Sequence, residues 1–380
     1  MARQAYKAKK IFLRDEIIED GYLIIEDGKF VAIENEYDGQ YKDLGDKYIS
    51  PGLVDTHIHG YKDADIMDCK KGNLEIISKG ILEMGVTSFL PTTLTASRDQ
   101  LNKACQIIGN EYKHVSGAKV RGIFLEGPYF VEAYKGAQNP AYMKDPSFDD
   151  LKEWHKLSDG LVNKIAIAPE RQGVEEFIKK ATDLGVTVAL GHSDATYDQA
   201  IKAVDAGASI FVHVYNAMRG LHHREPGMVG AALNTDTIGE LICDGHHVHP
   251  VSAKIVMDHK GRDHVCLVTD CMRAGGMKDG DYHLGELPVK VENGTARLVD
   301  GGALAGSILK LKDAVKNVYD WKIADIKEAI DMASIVPAKS VGIDHLCGVI
   351  EVGRDADFIV LDQSLNLEAT YLNGEKVYCK

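Results

Sequence analysis

The sequence predicts an α/β fold: a (β/α)₈ barrel carrying a small β-sandwich domain formed from both chain ends. Two observations lead there. Eight short apolar runs, many of them β-branched, alternate with polar or amphipathic stretches through the middle of the chain, as a closed parallel barrel requires. The two ends instead carry strand-and-turn patterns with no helical stretch between the strands.

At the N-terminal end the apolar segment 22–26 runs into Asp27-Gly28 and then into 30–33, a strong hairpin signal. The C-terminal end repeats the style in 357–362, 367–371, Asn373-Gly374 and Val377-Tyr378. The expected division is 1–51 plus 347–380 for the small β domain and 52–346 for the barrel.

The eight runs lie at 52–55, 86–91, 122–126, 165–168, 186–190, 210–213, 239–243 and 265–269. Ser97 with Gln100, and Thr196 with Gln199, fit capping boxes at helix starts between them. Gly85 and Gly185 stand where a helix ends before the next strand. An open doubly wound sheet is the alternative, but no GxGxxG or phosphate-binding loop supports it.

The 380 residues carry a net charge of −13, with 45% hydrophobic and 27% charged residues. That balance suits a globular protein with a sizeable core and disfavours nucleic acid or an anionic membrane as the main partner. A small anionic substrate stays compatible, because local donors can bind phosphate within an acidic chain. The seven cysteines form no CxxC pair, which reads as free thiols in a reducing compartment. The basic start lacks the apolar stretch of a signal peptide, and no run reaches the ~18 apolar residues of a membrane span. A cytoplasmic location is expected.

Each apolar run ends in residues foreign to a core. The first ends in His57 and His59, the third in Glu126, the fifth in His192, the sixth in His213 and Asn216, the seventh in His246 and His247, and the eighth in Asp270. In a parallel barrel these ends open on one face, where active sites of such barrels lie. Side chains two apart on a strand point the same way, so His57 and His59 can hold one ion. Each residue alone is more often a cap or a satisfied core group; their joint placement points to a divalent metal. His114, His155, His259, His264, His283 and His345 match no constellation and are expected at the surface or in structural roles. Asp63, Asp65 and Asp68 make an incomplete calcium loop and are expected in a solvated loop. Cys243, Cys266 and Cys271 are expected as buried small hydrophobes rather than nucleophiles.

The segments PGLVDTHIHG, LEGPYF, KGAQNP, GHSDAT, HVYNAM, REPG, DGHHVHP, VTD and LAGS occur in the order found in N-acetylglucosamine-6-phosphate deacetylases. The chain resembles that family, within the amidohydrolase superfamily, over nearly its whole length. The resemblance implies that Glu126, His192 and His213 bind a divalent metal, zinc or iron. His57 and His59 would form a second site that some members retain, giving one or two ions per chain. It implies Asp270 as the proton shuttle, and Ala137, Asn216, Ala217, Arg224, His247, Leu304, Ala305 and Gly306 as contacts to a phosphorylated amino sugar. It also implies a homodimer. Gln138 departs from the family, many members of which carry His before Asn-Pro; Gln can donate a hydrogen bond but cannot titrate.

The chemistry fits the residues. Amide hydrolysis needs an activated water, a polarised carbonyl and a proton for the leaving amine, which a metal and Asp270 can supply. Many superfamily members bridge two ions with a carboxylated lysine at the end of the fourth strand. Here that end reads Ala168-Pro169-Glu170, and Lys164 lies at the other end of the run, so Glu126 is the better bridging carboxylate. Arg224 offers a planar fork for phosphate oxygens, although an exposed pair with Glu225 is the plainer reading. Rival readings are a cyclic amidase or nucleobase deaminase, a catalytically inactive scaffold that should have lost ligands, and a glycosidase needing isolated carboxylates.

Overall fold

The structure, a computed structural model, describes residues 3–380. Eight parallel strands form the barrel: β1 Leu53–Ile58, β2 Val86–Thr93, β3 Ile123–Tyr129, β4 Val162–Ile167, β5 Thr187–Leu190, β6 Ile210–Phe211, β7 Ile238–Leu241 and β8 Val265–Leu267. Each matches one of the expected runs, and neighbours in sequence are neighbours in the sheet. The seam between β8 and β1 is drawn together by a parallel bridge between Ile58 and Cys271. There Asp270 N–H donates to His57 O at 2.9 Å and His59 N–H to Cys271 O at 2.8 Å. β6 is shorter than its run because the chain turns before His213.

Helices pack outside through single apolar stripes. In the helix Val174–Asp183, Val174, Phe177, Ile178 and Ala181 are buried, at the spacing of one helical face. Thr196 and Gln199 form the full capping box. Ser97 caps its helix alone: it accepts from Gln100 N–H at 3.3 Å, while the Gln100 side chain donates to Met67 O instead. Gly85 and Gly185 take the left-handed conformation, φ +78° and +83°, which ends a helix without steric cost. Inside the barrel Val54, Leu90, Phe124, Ala166 and Val212 pack above Ala338 of the helix Ile335–Ser340.

Strands from both chain ends meet in one six-stranded sheet, where Phe358–Leu361 pairs antiparallel with Tyr48–Pro51. A four-stranded sheet from the first 43 residues faces it, with Tyr6, Leu23, Phe30, Phe358 and Tyr371 between them. The hairpin dipeptides behave as expected, with Asp27 and Gly28 at φ 49° and 77° and Asn373 and Gly374 at 48° and 77°. One unit has no counterpart among the expected elements. After β8 a three-stranded antiparallel sheet, Gly280–Leu284, Leu287–Glu292 and Thr295–Leu298, leans over the barrel mouth. Its signal is present in the dipeptide Asn293-Gly294. Asp65 also departs from expectation: it is buried, not solvated, and caps a short turn by accepting from Met67 N–H at 2.8 Å. Arg273 bonds Asp68 at 2.6 Å beside it, so this acidic loop is tied to the segment after β8. Among the described residues no helix is long and apolar enough to cross a membrane, and all seven cysteines are free.

Lys119, beside β2, joins barrel to end sheets. Its Nζ lies 2.9 Å from Asp355, 2.7 Å from Asp357 and 2.7 Å from Asn373. Because Asp357 is 8% exposed, Lys119→Met leaves a nearly buried carboxylate with only the Asn373 N–H at 2.9 Å and the more distant Arg121 at 3.9 Å, and should lower the unfolding free energy by about 1–3 kcal/mol. A denaturant midpoint unchanged from wild type would show that the clamp contributes nothing.

Candidate metal centre and active-site pocket

At the C-terminal ends of the strands the polar residues converge on a cavity of about 370 Å³, within the roughly 300–1,000 Å³ range of small-molecule sites. His59, Glu126, Ala137, Gln138, His192, His213, Asn216, Ala217, His247, Asp270, Leu304 and Gly306 are on its wall. The insertion after β8 closes one side through Leu284, Ala303 and Leu304. His57 lies behind the wall, fully buried. Two expected contacts are elsewhere. Ala305 is buried and not on the wall, and Arg224 sits on the exposed loop after β6, its Nη1 2.7 Å from His223 Nε2. Of the adjacent histidines, His247 reaches the cavity and holds Asp244 Oδ2 at 2.6 Å through Nδ1, whereas His246 is exposed.

Backbone strain aims several site residues. His192, His213, Ala217 and Asp270 have φ of 46°, 30°, 49° and 49°, in the left-handed region that costs a non-glycine residue about 1–3 kcal/mol. The chain turns back at each strand end and presents the side chain to the mouth.

Two donor sets result: Glu126, His192 and His213, and His57, His59 and Asp270. In the first, Glu126 Oε1 lies 3.3 Å from His192 Nε2 and 3.2 Å from His213 Nε2, and the two nitrogens are 3.2 Å apart. Ligands about 2.0–2.1 Å from a tetrahedral ion stand about 3.3–3.4 Å from each other, so this triangle has the span of a coordination face. In the second, Asp270 Oδ1 lies 3.0 Å from His59 Nε2 and 3.5 Å from His57 Nε2. Glu126 joins the sets, with Oε1 3.3 Å from His57 Nε2 and Oε2 3.4 Å from His59 Nε2. His57 Nε2 is buried without a well-aligned hydrogen-bond partner, an atom that a cation would satisfy.

Every imidazole is oriented from behind. Nδ1 of His59, His192 and His213 faces the carbonyls of Thr92, Tyr134 and Asn216 at 3.2, 3.1 and 3.2 Å, and Nδ1 of His57 faces Glu240 Oε2 at 3.2 Å. These oxygens only accept, so Nδ1 carries the proton and Nε2 is left to bind. Gln138 orients the carboxylate: its Nε2 donates to Glu126 Oε2 at 2.5 Å while its Oε1 accepts from Thr95 N–H at 2.8 Å. Glu240 and Lys164 are a pair that sequence reasoning missed, although Glu240 is a charge inside an apolar run and Lys164 stands directly before one, which is itself a signal. Glu170 at the end of β4 binds Ser193 Oγ and Asp194 N–H at 2.7 and 2.6 Å and takes no part in either set.

The electrostatics call for positive charge. Burial opposes protonation of His57 and His59, yet the carboxylates of Asp270 and Glu126 outweigh it and raise them to about 9 and about 10. Burial likewise opposes ionisation of Glu126 and Asp270, but the histidines hold both below the usual carboxylate range.

Residues 48–377 match the amidohydrolase family. The chain is 38% identical to the N-acetylglucosamine-6-phosphate deacetylase of Vibrio furnissii, over 98% of this chain and 94% of that one. It is 36% identical to an N-acetylgalactosamine-6-phosphate deacetylase of Escherichia coli O157:H7, over 97% and 98%. Among solved structures it superposes on a mutant N-acetyl-D-glucosamine-6-phosphate deacetylase of Mycobacterium smegmatis in complex with N-acetyl-D-glucosamine-6-phosphate. The TM-score is 0.95 at 29% identity, covering 99% and 100% of the two chains.

Because metal-free His57 and His59 hold protons up to about 9 and about 10, a metal binding there must displace them. Affinity at this pair should therefore rise with pH between 6 and 9. Calorimetry in two buffers of different ionisation enthalpy should detect the released protons. A pH-independent affinity without buffer dependence would contradict the charge balance described.

Proposed function

The chain belongs to the amidohydrolase family, and from that premise we propose that it hydrolyses the N-acetyl group of N-acetylglucosamine-6-phosphate to glucosamine-6-phosphate and acetate. One observation carries the reading: four imidazoles and two carboxylates converge beside a sugar-sized cavity, in a chain matched almost end to end by deacetylases of that substrate. Full donor sets speak against an inactive scaffold, and carboxylates embedded among histidines speak against a glycosidase. Full-length relatives with deacetylase names speak against a cyclic amidase or a nucleobase deaminase.

Glu126, His192 and His213 are the residues to hold a first zinc or iron, and His57 and His59 a second, with Glu126 shared and Asp270 close by. A bound divalent metal lowers the pKa of a water toward about 7 and polarises the amide carbonyl. Asp270 takes the proton from the attacking water and returns it to the leaving nitrogen, so the C–N bond breaks with a neutral amine as product. Gln138 keeps Glu126 in place by the two bonds that fix its amide. Asn216, Ala217, His247, Ala137, Leu304 and Gly306 line the cavity, and together they position the sugar. Arg224 is the proposed phosphate partner; its exposed loop must approach the cavity for that contact.

The 36% identity to an N-acetylgalactosamine-6-phosphate deacetylase favours one second reading, the same reaction on the galacto epimer. Acetate release from both 6-phosphates and from N-acetylglucosamine tests the choice. The gluco 6-phosphate should have the highest kcat/KM, a galacto preference would move the assignment to the epimer, and no release from any would overturn both. Asp270→Asn preserves shape but removes the base, so turnover should fall by at least ~10²-fold while the metal on Glu126, His192 and His213 stays bound. Near-normal turnover would exclude Asp270 as the shuttle. Arg224→Ala should impair the phosphorylated sugar far more than the unphosphorylated one, by a charge-assisted contact of roughly 1.5–3 kcal/mol. Equal losses would assign Arg224 to the loop instead.

A further inference from the structure

Of the four imidazoles in the two donor sets, three are fixed by main-chain carbonyls that no side-chain substitution removes. Among these four, only His57 is fixed by a side chain, Glu240 Oε2 on β7, at 3.2 Å. Glu240 is bonded in turn through Oε1 to Lys164 Nζ of β4. Those strands are not neighbours, so the pair spans the barrel interior. Lys164 Nζ also lies 3.9 Å from the centre of the Phe124 ring and 3.4 Å from Thr56 O. His57, Glu240 and Lys164 all have zero exposure. A buried ion pair is a poor way to stabilise a barrel, since apolar side chains of similar volume usually do as well or better.

We propose that Glu240, held by Lys164, is a positioning residue that makes His57 a metal ligand by keeping its proton on Nδ1. The inference rests on the two-ion reading above. The ammonium of Lys164 only donates, so it claims one oxygen of Glu240 and leaves the other facing His57. A carboxylate meets both demands. An amide cannot: in Glu240→Gln the single carbonyl oxygen must turn to Lys164, and the NH₂ must turn to His57. Nδ1 then has to accept, the proton moves to Nε2, and the lone pair facing Glu126 and Asp270 is lost. If Lys164→Met is added, the amide is free to turn back, its oxygen toward His57 Nδ1–H and its NH₂ toward Thr56 O.

Zinc titration with elemental analysis tests this, together with nitrogen–proton correlation spectra of histidine-labelled, zinc-loaded protein. Wild type should bind two zinc ions with His57 protonated on Nδ1. Glu240→Gln should bind the second zinc at least about tenfold more weakly, with His57 protonated on Nε2 and the first zinc retained. The double variant Lys164→Met, Glu240→Gln should regain the second ion and the Nδ1 proton. Two tightly bound ions and an Nδ1 proton in Glu240→Gln would overturn the inference while leaving the two-ion reading intact. So would a double variant that stays at one ion, which decides the matter even if Glu240→Gln alone does not fold. A wild type that never exceeds one equivalent would overturn the two-ion reading, and this inference with it.

Discussion

Glu126 and Asp270 place two carboxylates, both nearly free of solvent, within one cluster of imidazoles, and the rest of the architecture serves that buried negative charge. Unpaired ions in such surroundings cost several kcal/mol each. The protein offsets this with four histidines whose Nε2 atoms all face inward. Without a metal, His57 and His59 answer the charge as imidazoliums; the proposed second metal would take the same nitrogens as ligands. The protonated and metal-loaded states are thus two solutions to a single electrostatic demand.

Meeting it requires the barrel. The six residues of the donor sets come from β1, β3 and the segments just after β1, β5, β6 and β8, and only a closed parallel sheet brings those ends within reach of one another. Their left-handed backbone at His192, His213 and Asp270 is held by bonds across the mouth. Ser307 N–H donates to Asp270 O at 2.7 Å and Val131 N–H to His192 O at 3.3 Å. Local strain is affordable there because the surrounding β-barrel over-determines the turn.

How much was legible in the sequence follows from which residues carry a one-dimensional signal. The strands were legible because buried parallel strands are continuous apolar runs, and the candidate donor residues were legible because polar residues interrupt those runs at their ends. Asp27-Gly28 and Asn373-Gly374 announced hairpins by chemistry that only a positive φ explains. The orienting partners were not legible. Thr92, Tyr134 and Asn216 act through backbone carbonyls, which any residue possesses, and Glu240 meets Lys164 across the barrel with no relation in sequence. In the loop with Asp63, Asp65 and Asp68, Asp63 is exposed as expected, but the burial of Asp65 was not legible because its partner Arg273, which also bonds Asp68, lies about 200 residues away in the chain. Arg224 shows the opposite limit: its chemistry suits phosphate, but a side chain's type does not tell where its loop lies.

The central claim, that the Glu126 carboxylate is shared between two cation positions, is tested most directly by anomalous X-ray diffraction from crystals soaked in zinc. Two peaks are expected, one among Glu126, His192 and His213 and one among His57, His59 and Asp270, with Glu126 between them. A map with no peak at the Glu126–His192–His213 triangle, or with a single peak at saturating zinc, would contradict it.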